Sequence, residues 1–370
     1  MKICIDARWI FPELSGIGLY TQELMRSLAE IDRANEYLVL FGDKAVAERT
    51  LAKVRAGVEC RVSSVALFSP KNQIWLRGLL RRECIDLYHS TNYMMPLFGM
   101  GRIKRIVTIH DLIPLLFRDH APQAKKAKLF PIYKRLMHEV GARADLILTV
   151  SESTKRDIVR ELKVTADKIT VTPEGVGPEY HPPNTRHPTL DTPHILYVGR
   201  RDPYKNLPLL IEAFAVMAKK VPAARLRIIG PADDRYPEAP ALAKTLGLND
   251  RIDWIGYVTP GQLIEEYRGA SVFALPSRYE GFGLTVLEAM ACGAPVVCSN
   301  VSSLPEVAGD AALLVPPGDR TALADALVRV LTDRNLAATL RKKGLAQSAR
   351  FTWRQTAELT LRAYEQVGAR

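Results

Sequence analysis

The sequence predicts an α/β protein of two doubly wound domains, and three observations predict it. Short apolar runs alternate with stretches of helical period along nearly the whole chain, which is the pattern of successive β/α units. The apolar runs are continuous, as in KICID, EYLVLF and HILYVG, and this argues for parallel strands buried on both faces. The alternation breaks once, in the proline-rich stretch PEYHPPNTRHPTLDTP at 178–193, and then restarts, so that stretch reads as a linker. At 370 residues the chain also exceeds one ordinary core, since a domain takes about 150 residues.

In the first half, KICID, EYLVLF, DLYHS, RIVTIHD, DLILTV and KITVTP read as strands, separated by helices near 17–31, 71–83, 123–142 and 152–162. After the linker come HILYVG, RLRIIG, IDWIG, SVFALPS, PVVCS and AALLVPP, again interleaved with helices. The domains are expected to span 1–183 and 184–351, with the amphipathic segment within 352–370 packing back on the first. Ligands of doubly wound sheets bind beyond the carboxyl ends of the strands. With two such domains facing each other, the cleft between them is the default site.

Composition narrows the classes. No run of about 18 apolar residues occurs, and the opening MKICIDARWI places Asp6 and Arg8 where a signal peptide would be apolar, so a cytoplasmic protein is expected. The five cysteines (Cys4, Cys60, Cys84, Cys292, Cys298) form no C-x-x-C pair and read as small buried apolar residues. The net charge of +11 is uneven: residues 71–143 hold 14 basic and 5 acidic side chains. There Trp75, Leu76, Leu79, Leu80, Leu129, Phe130 and Ile132 stand beside Arg77, Arg81, Lys125, Lys126 and Lys128. One reading is a surface for anionic lipid or a phosphate-bearing acceptor; the other is a solvated basic face whose apolar side packs on a sheet. No groove-reading motif or stacking pattern accompanies the charge, so nucleic acid is not expected.

The segment LPSRYEGFGLTVLEAMACGAPVV, 275–297, carries the chemistry. A strand ends, a glycine turn EGFG follows, and LTVLEAMA opens a helix that stops at Gly293 and Pro295. The amides of Phe282, Gly283, Leu284 and Thr285 would then point out of a helix N-terminus, which favours a phosphate. Glu288 lies about 6 Å along the axis from Leu284 at 1.5 Å per residue, beside the turn, and Glu280 stands at the strand's end. Two carboxylates beside a phosphate are tolerable if each is engaged by hydroxyls, as a ribose and a sugar would supply. Alone, Glu288 would read as an exposed helix residue and Glu280 as a turn carboxylate.

After strand HILYVG, the loop RRDPYKNL places Arg200 and Lys205 before a helix. Fixed cations there would offset the charge that builds on a diphosphate leaving group. No D-x-D pair occurs to hold a divalent ion, so no metal is expected. Pairing with Asp202 is the plainer reading and suits Arg201 best. In the first half, Gly16 and Gly18 lie between strand KICID and the first helix, where glycine permits a close approach by ligand. Thr21 stands where a dinucleotide fingerprint needs its third glycine. His110 stands at the carboxyl end of RIVTIHD beside Asp111, facing a sugar or else bonded to backbone.

Taken together, EGFGLTVLE with AMACGAPVV, VGRRDPYKNL, SSLPEVAGDAALLVPPGD and SGIG resemble the retaining, nucleotide-sugar-dependent glycosyltransferases of family 4. The resemblance covers nearly the whole chain and is strongest over 194–320. It implies the GT-B fold, two facing Rossmann-like domains with a cleft between them. It also implies that Glu288 binds ribose hydroxyls and Glu280 sugar hydroxyls, as the ends of an E-x7-E motif, and that Arg200 and Lys205 hold the diphosphate. His110 would stand near the anomeric carbon, and Gly16 and Gly18 would line the phosphate or acceptor side. Retention by front-face attack, with the leaving phosphate taking the acceptor's proton, is implied as well. Where the family commonly has proline, this chain has Thr285, which keeps an N–H.

YHSTNYMMP and TIHDLIP are similar to bacterial mannosyl- or rhamnosyltransferases that build surface polysaccharide from GDP-sugars. The resemblance thus implies a nucleotide-sugar donor, GDP-sugar favoured, no resident cofactor, and a glycan or lipid-linked acceptor reached by peripheral association with the inner face of the membrane. Two alternatives stay open from the sequence: a sugar-nucleotide epimerase on the same architecture, and a non-catalytic sugar-nucleotide-binding module. The number of subunits is not legible.

Overall fold

The computed structural model describes residues 1–13, 15–54, 57–117, 130–183 and 192–369. Lys125, Lys126, Lys128 and Leu129, and the middle of the proline-rich stretch, lie outside the described residues. In chain order the elements are β1 Lys2–Asp6, α1 Gly16–Ile31, β2 Glu36–Phe41, α2 Lys44–Leu51, β3 Val58–Val62, α3 Pro70–Arg82, β4 Leu87–Ser90, β5 Lys104–Ile109, α4 Ile113–Leu116, α5 Phe130–Arg143, β6 Leu146–Thr149, α6 Glu152–Leu162 and β7 Ile169–Val171. Then follow β8 His194–Val198, α7 Leu207–Met217, β9 Arg225–Ile229, α8 Glu238–Thr245, β10 Ile252–Ile255, α9 Pro260–Gly269, β11 Val272–Leu275, α10 Leu284–Ala291, β12 Val296–Ser299, α11 Leu304–Ala308, β13 Ala312–Val315, α12 Arg320–Thr332, α13 Arg334–Ser348 and α14 Trp353–Gly368.

The strands form two parallel sheets, β3-β2-β1-β4-β5-β6-β7 and β10-β9-β8-β11-β12-β13. The chain gathers into two units. The first holds the described residues of 1–115, 129–175 and 352–370, and the second those of 116–128 and 176–351. The chain thus leaves the first unit at Gly175, just ahead of the proline-rich stretch. In both sheets the first strand has its chain-order successor on one side and a later strand on the other (β1 between β2 and β4, β8 between β9 and β11). This is the order reversal at which doubly wound sheets open a crevice.

The apolar runs are buried as parallel strands require: β4, β6, β11 and β12 bury every residue. Strand β3 and helix α2 carry too little pattern to be expected from sequence. VECRV has Glu59 and Arg61 among its five residues and lies at the sheet's edge, largely exposed. The cysteines depart from expectation in part: Cys4, Cys292 and Cys298 are buried, but Cys60 is half-buried and Cys84 exposed, because they sit on that edge strand and past the end of α3.

In α3 the apolar side packs inward, with Leu76, Leu79 and Leu80 buried, while Lys71, Arg81 and Arg82 are exposed. Among the described residues, serine, aspartate and threonine side chains cap eight of the helices, Ser15, Ser69 and Ser151 among them, each accepting from a first-turn amide. Among the described residues no helix is long and apolar enough to cross a membrane.

Two buried polar networks organise the first unit. At the end of β1, Arg8 donates to both Asp6 oxygens at 2.8 and 2.6 Å and to Asn72 on α3 at 2.8 Å. Tyr88 of β4 donates to the same carboxylate at 2.7 Å. Full engagement of both charges is what makes their burial tolerable. The second network runs through His89, whose Nδ1 meets the Tyr364 hydroxyl of α14 at 2.7 Å and whose Nε2 meets Thr108 of β5 at 2.9 Å.

Burial, and then the charge of His110, push the His89 imidazole down from its ordinary 6.5 to about 3. The unfolded chain therefore binds a proton first as pH falls, so His89 weakens the fold between pH 6.5 and about 3. Each unit in that window costs about 1.4 kcal/mol. Equilibrium urea unfolding at pH 7.5 and 5 should show a lower midpoint at pH 5, and a smaller difference in His89→Gln; an equal difference in the variant would refute the assignment.

Candidate active site

The reversal in the second sheet places the ends of β8 and β11 side by side. After β8 the chain makes a short 3-10 turn, Pro203–Lys205, and Asn206 takes a left-handed conformation at φ 59°. The Asn206 amide donates to the carbonyls of Pro276 and Pro317 at 3.0 and 2.7 Å. The turn carrying Lys205 is thereby tied to the loop after β11. Across it, Lys205 Nζ meets both Glu280 oxygens, at 2.8 and 3.0 Å, and Ser277 donates to Glu280 Oε1 at 2.6 Å. Burial alone would lower the Lys205 ammonium, and the Glu280 carboxylate outweighs it and holds the group above the ordinary lysine range. Glu280 is therefore no simple turn carboxylate.

The glycine turn follows. Ser303 donates to the carbonyls of Glu280 and Phe282 at 2.9 and 2.6 Å, and Ser302 accepts from the Glu280 amide at 2.9 Å. Gly283, at φ 112°, precedes α10, and a Cβ there would lie 2.9 Å from a Leu304 methyl. Only glycine fits both the dihedral and the contact. Among the described residues no acceptor meets the amides of Gly283, Leu284 or Thr285, and Leu284 and Thr285 are half-buried. The expected row of amides at a helix N-terminus is present.

Glu288 is buried, not an exposed helix residue. It accepts from the Tyr267 hydroxyl at 2.8 Å, and burial together with Glu288 pushes the hydroxyls of Tyr267 and Tyr180 up. These tyrosines were not anticipated; Tyr267 stands on α9, and its sole signal in the sequence is an aromatic in a helical period. Arg200 pairs with Asp202 at 3.0 Å and donates to the Tyr204 hydroxyl at 3.0 Å. This corrects the expectation that Asp202 suits Arg201, which lies instead over the Trp254 ring, 4.7 Å from its centroid.

In the first unit Gly16 opens α1 and Gly18 sits in its first turn, where its amide donates to the Ser15 cap at 3.2 Å. Gly16 is exposed, with nothing within 4 Å of a built Cβ. His110 follows β5. Its ring lies edge-on to Tyr20 of α1 at 4.7 Å, its Nε2 is 3.0 Å from the Thr91 carbonyl, and its Nδ1 is 3.4 Å from Glu174 Oε1. His110 is thus bonded to backbone and, in addition, paired with a carboxylate. Glu174 was missed in the sequence, although it stands just past β7, where strand-end chemistry is expected. Among the described residues no group of three or more His, Cys, Asp or Glu side chains could hold a metal ion.

Residues 14–180 match the sequence model described as Glycosyltransferase Family 4, and 185–347 the one described as Glycosyl transferases group 1. The chain is 31% identical to the O-antigen chain mannosyltransferase B of Escherichia coli, over 99% of this chain and 100% of that protein. Among solved structures, sucrose-phosphate synthase from Thermosynechococcus elongatus is similar with TM-score 0.80 and 22% identity, covering 100% of this chain and 99% of that one. HepE of Anabaena, in complex with UDP and glucose, has TM-score 0.78 and 18% identity, covering 99% and 100%. At such identity the structures speak for the fold alone.

Gly283→Ala should destabilise the protein by about 1 kcal/mol or more, because alanine is strained at positive φ and its methyl meets Leu304. Urea unfolding reads this directly, and an unchanged midpoint would show that the turn tolerates a side chain.

Proposed function

Because the chain belongs to glycosyltransferase family 4, we propose that it moves a hexose, mannose or rhamnose, from a nucleoside-diphosphate sugar to a lipid-linked or polysaccharide acceptor in cell-envelope glycan synthesis. The observation that carries this reading is the cluster at the ends of β8 and β11: Lys205 on Glu280, beside the open amides of Gly283, Leu284 and Thr285. One patch thereby offers a cation and N–H donors to a phosphate and a carboxylate to hydroxyls. The choice of sugar is supported by the full-length likeness to a mannosyltransferase, and GDP is the favoured nucleotide.

In this reading the diphosphate takes donors from the α10 amides, Lys205 and Arg200. Lys205 then shares its charge between phosphate and Glu280, leaving Glu280 free to accept from a sugar hydroxyl. Glu288, already positioned by Tyr267, accepts from the ribose. The bond from the anomeric carbon to the phosphate oxygen breaks while the acceptor oxygen bonds to the same face. The acceptor's proton passes to the departing phosphate, so configuration is retained and no carboxylate nucleophile is required. Positive charge on Lys205 and Arg200 offsets the charge on the leaving group, and no metal ion takes part.

The basic window of the first unit supports a membrane-side acceptor. Phe68, Ile74, Phe98 and Ile132 are exposed hydrophobics, and Lys71, Arg81, Arg82, Lys134 and Arg135 are exposed near them in sequence. An aromatic chain joins the start of α3 to α5, Phe68 to Tyr93 at 6.4 Å and Tyr93 to Tyr133 at 5.7 Å. Apolar tips among cations suit peripheral attachment to anionic lipid.

Three measurements check this reading. In a thermal-shift panel of GDP, UDP, ADP and dTDP, GDP should raise the melting temperature, and Glu288→Gln should abolish the rise. With GDP-mannose and an acceptor glycan, Lys205→Ala and Arg200→Ala should each lower turnover about 100-fold; no shift with any diphosphate, or full turnover in both variants, would sink the site assignment. Binding to vesicles containing phosphatidylglycerol should weaken as salt rises, and Arg81→Glu/Arg82→Glu should bind less at low salt with a shallower salt dependence; binding indifferent to lipid charge would rule the membrane surface out.

A further inference from the structure

The loop after β11 is tethered to its neighbours at every second residue. The Pro276 carbonyl accepts from the Asn206 side-chain amide at 3.0 Å, and the Arg278 amide donates to the Tyr204 carbonyl at 2.8 Å. The Glu280 amide donates to the Ser302 hydroxyl at 2.9 Å. The carbonyls of Glu280 and Phe282 share the single hydroxyl hydrogen of Ser303, at 2.9 and 2.6 Å. The first two tethers come from the loop after β8, and the others from the loop after β12, through serine side chains alone. Glu280 therefore has its N–H and its C=O both taken by Ser302 and Ser303, while Ser277 and Lys205 take its carboxylate.

Ser302 carries a mark of its own. Its φ is 52°, in the left-handed region that suits glycine and that serine seldom takes. Among the described residues, Cys84, Lys163 and Asn206 share this trait without being glycine. Cys84 and Lys163 follow helix ends, where a left-handed residue is ordinary. Asn206 and Ser302 instead stand on the two loops that flank the loop after β11, and each spends its side chain on that loop. A sparsely populated backbone conformation persists where its surroundings over-determine it. Glycine at 302 would relax the dihedral and leave the amide of Glu280, a residue 8% exposed, without its acceptor. A buried amide left unmet is costly, so the peptide would shift to find another oxygen and the carboxylate would shift with it.

We propose that Ser302 and Ser303 are positioning residues for recognition of the transferred sugar, fixing Glu280 so that it tells a nucleoside-diphosphate hexose from a bare nucleoside diphosphate. The proposal rests on the transferase reading for its ligand and on hydrogen bonds within the second unit for its geometry. Every group it invokes lies in that unit. Loosening the backbone of Glu280 weakens the contact to sugar hydroxyls. It spares the nucleotide, whose proposed contacts at Glu288 and the α10 amides are made by groups that neither serine bonds.

Isothermal titration of the full chain with GDP and with GDP-mannose separates the two halves of the ligand. In Ser302→Gly the dissociation constant for GDP-mannose should rise about tenfold, the scale of one hydrogen bond, while that for GDP stays within about twofold of native. The melting temperature of Ser302→Gly should stay near native, because glycine takes this dihedral without strain; a serine with a merely structural role would therefore leave no defect in sugar binding. Ser303→Ala should show the same split with a lower melting temperature, since two carbonyls lose their donor. Without ligand, hydrogen exchange in the peptide covering 276–283 should quicken at Glu280 in Ser302→Gly. Native affinity for GDP-mannose in Ser302→Gly, an equal loss for both ligands, or unchanged exchange at Glu280 overturns the proposal. A native protein that binds neither ligand strikes the transferase reading instead, and the exchange at Glu280 still decides whether Ser302 holds it.

Discussion

A parallel sheet covered on both faces has no interior place for a charge, and this constraint governs where polar chemistry collects in the chain. Strands such as LYHS and VFAL are buried along their whole length, so polar side chains accumulate where each strand stops. Asp6 ends β1, His110 follows β5, Glu174 follows β7, and Arg200 and Glu280 follow β8 and β11. Each is met by an ionisable partner: Asp6 by Arg8 two residues on, His110 and Glu174 by each other, Arg200 by Asp202 of its own loop, and Glu280 by Lys205 from the loop after β8. Within each unit, the candidate site is the polar rim that the fold obliges the sequence to provide.

The partnership of Lys205 and Glu280 shows how such a rim stays both stable and reactive. A cation poised for phosphate would be costly to bury alone. Paired with Glu280 and steadied by Ser277, it is neutralised without a ligand. In the proposed reaction an arriving diphosphate would exchange one anionic partner for another, leaving little desolvation to be overcome on binding. Glu288 follows the same logic with hydroxyls, since Tyr267 satisfies one of its oxygens beforehand.

Both sheets were legible in the sequence because most of the twelve apolar runs that mark their strands are rich in β-branched or aromatic residues. β3 was not, since a largely exposed edge strand need not be apolar. The turn at Gly283 was legible as a turn, but its necessity lies in a Leu304 methyl supplied by a distant helix, which no local pattern reveals. Glu174, Tyr180 and Tyr267 escaped for the same reason: each acquires its importance from a partner far away in the chain, and nothing in its own neighbourhood marks it. Asp202 was assigned to Arg201 and not to Arg200 because adjacent residues on a loop share most sequence cues. The Asp202 and Tyr204 contacts of Arg200 and the Trp254 ring under Arg201 separate them.

The first unit is closed by α14, whose tyrosine reaches His89 and whose first residues grip the loop at 173–175. A ribosome making this chain releases β7 roughly 180 residues before α14. At about 5–20 residues per second, that interval is on the order of ten to forty seconds. Throughout it the seven-stranded sheet exists without its last covering helix, while the strands of the second unit are made, and its helices through α13 are complete before α14 follows. The half that is translated first is therefore the half that matures last, and the uncovered side of α1 is the surface that a nascent-chain chaperone would need to shield.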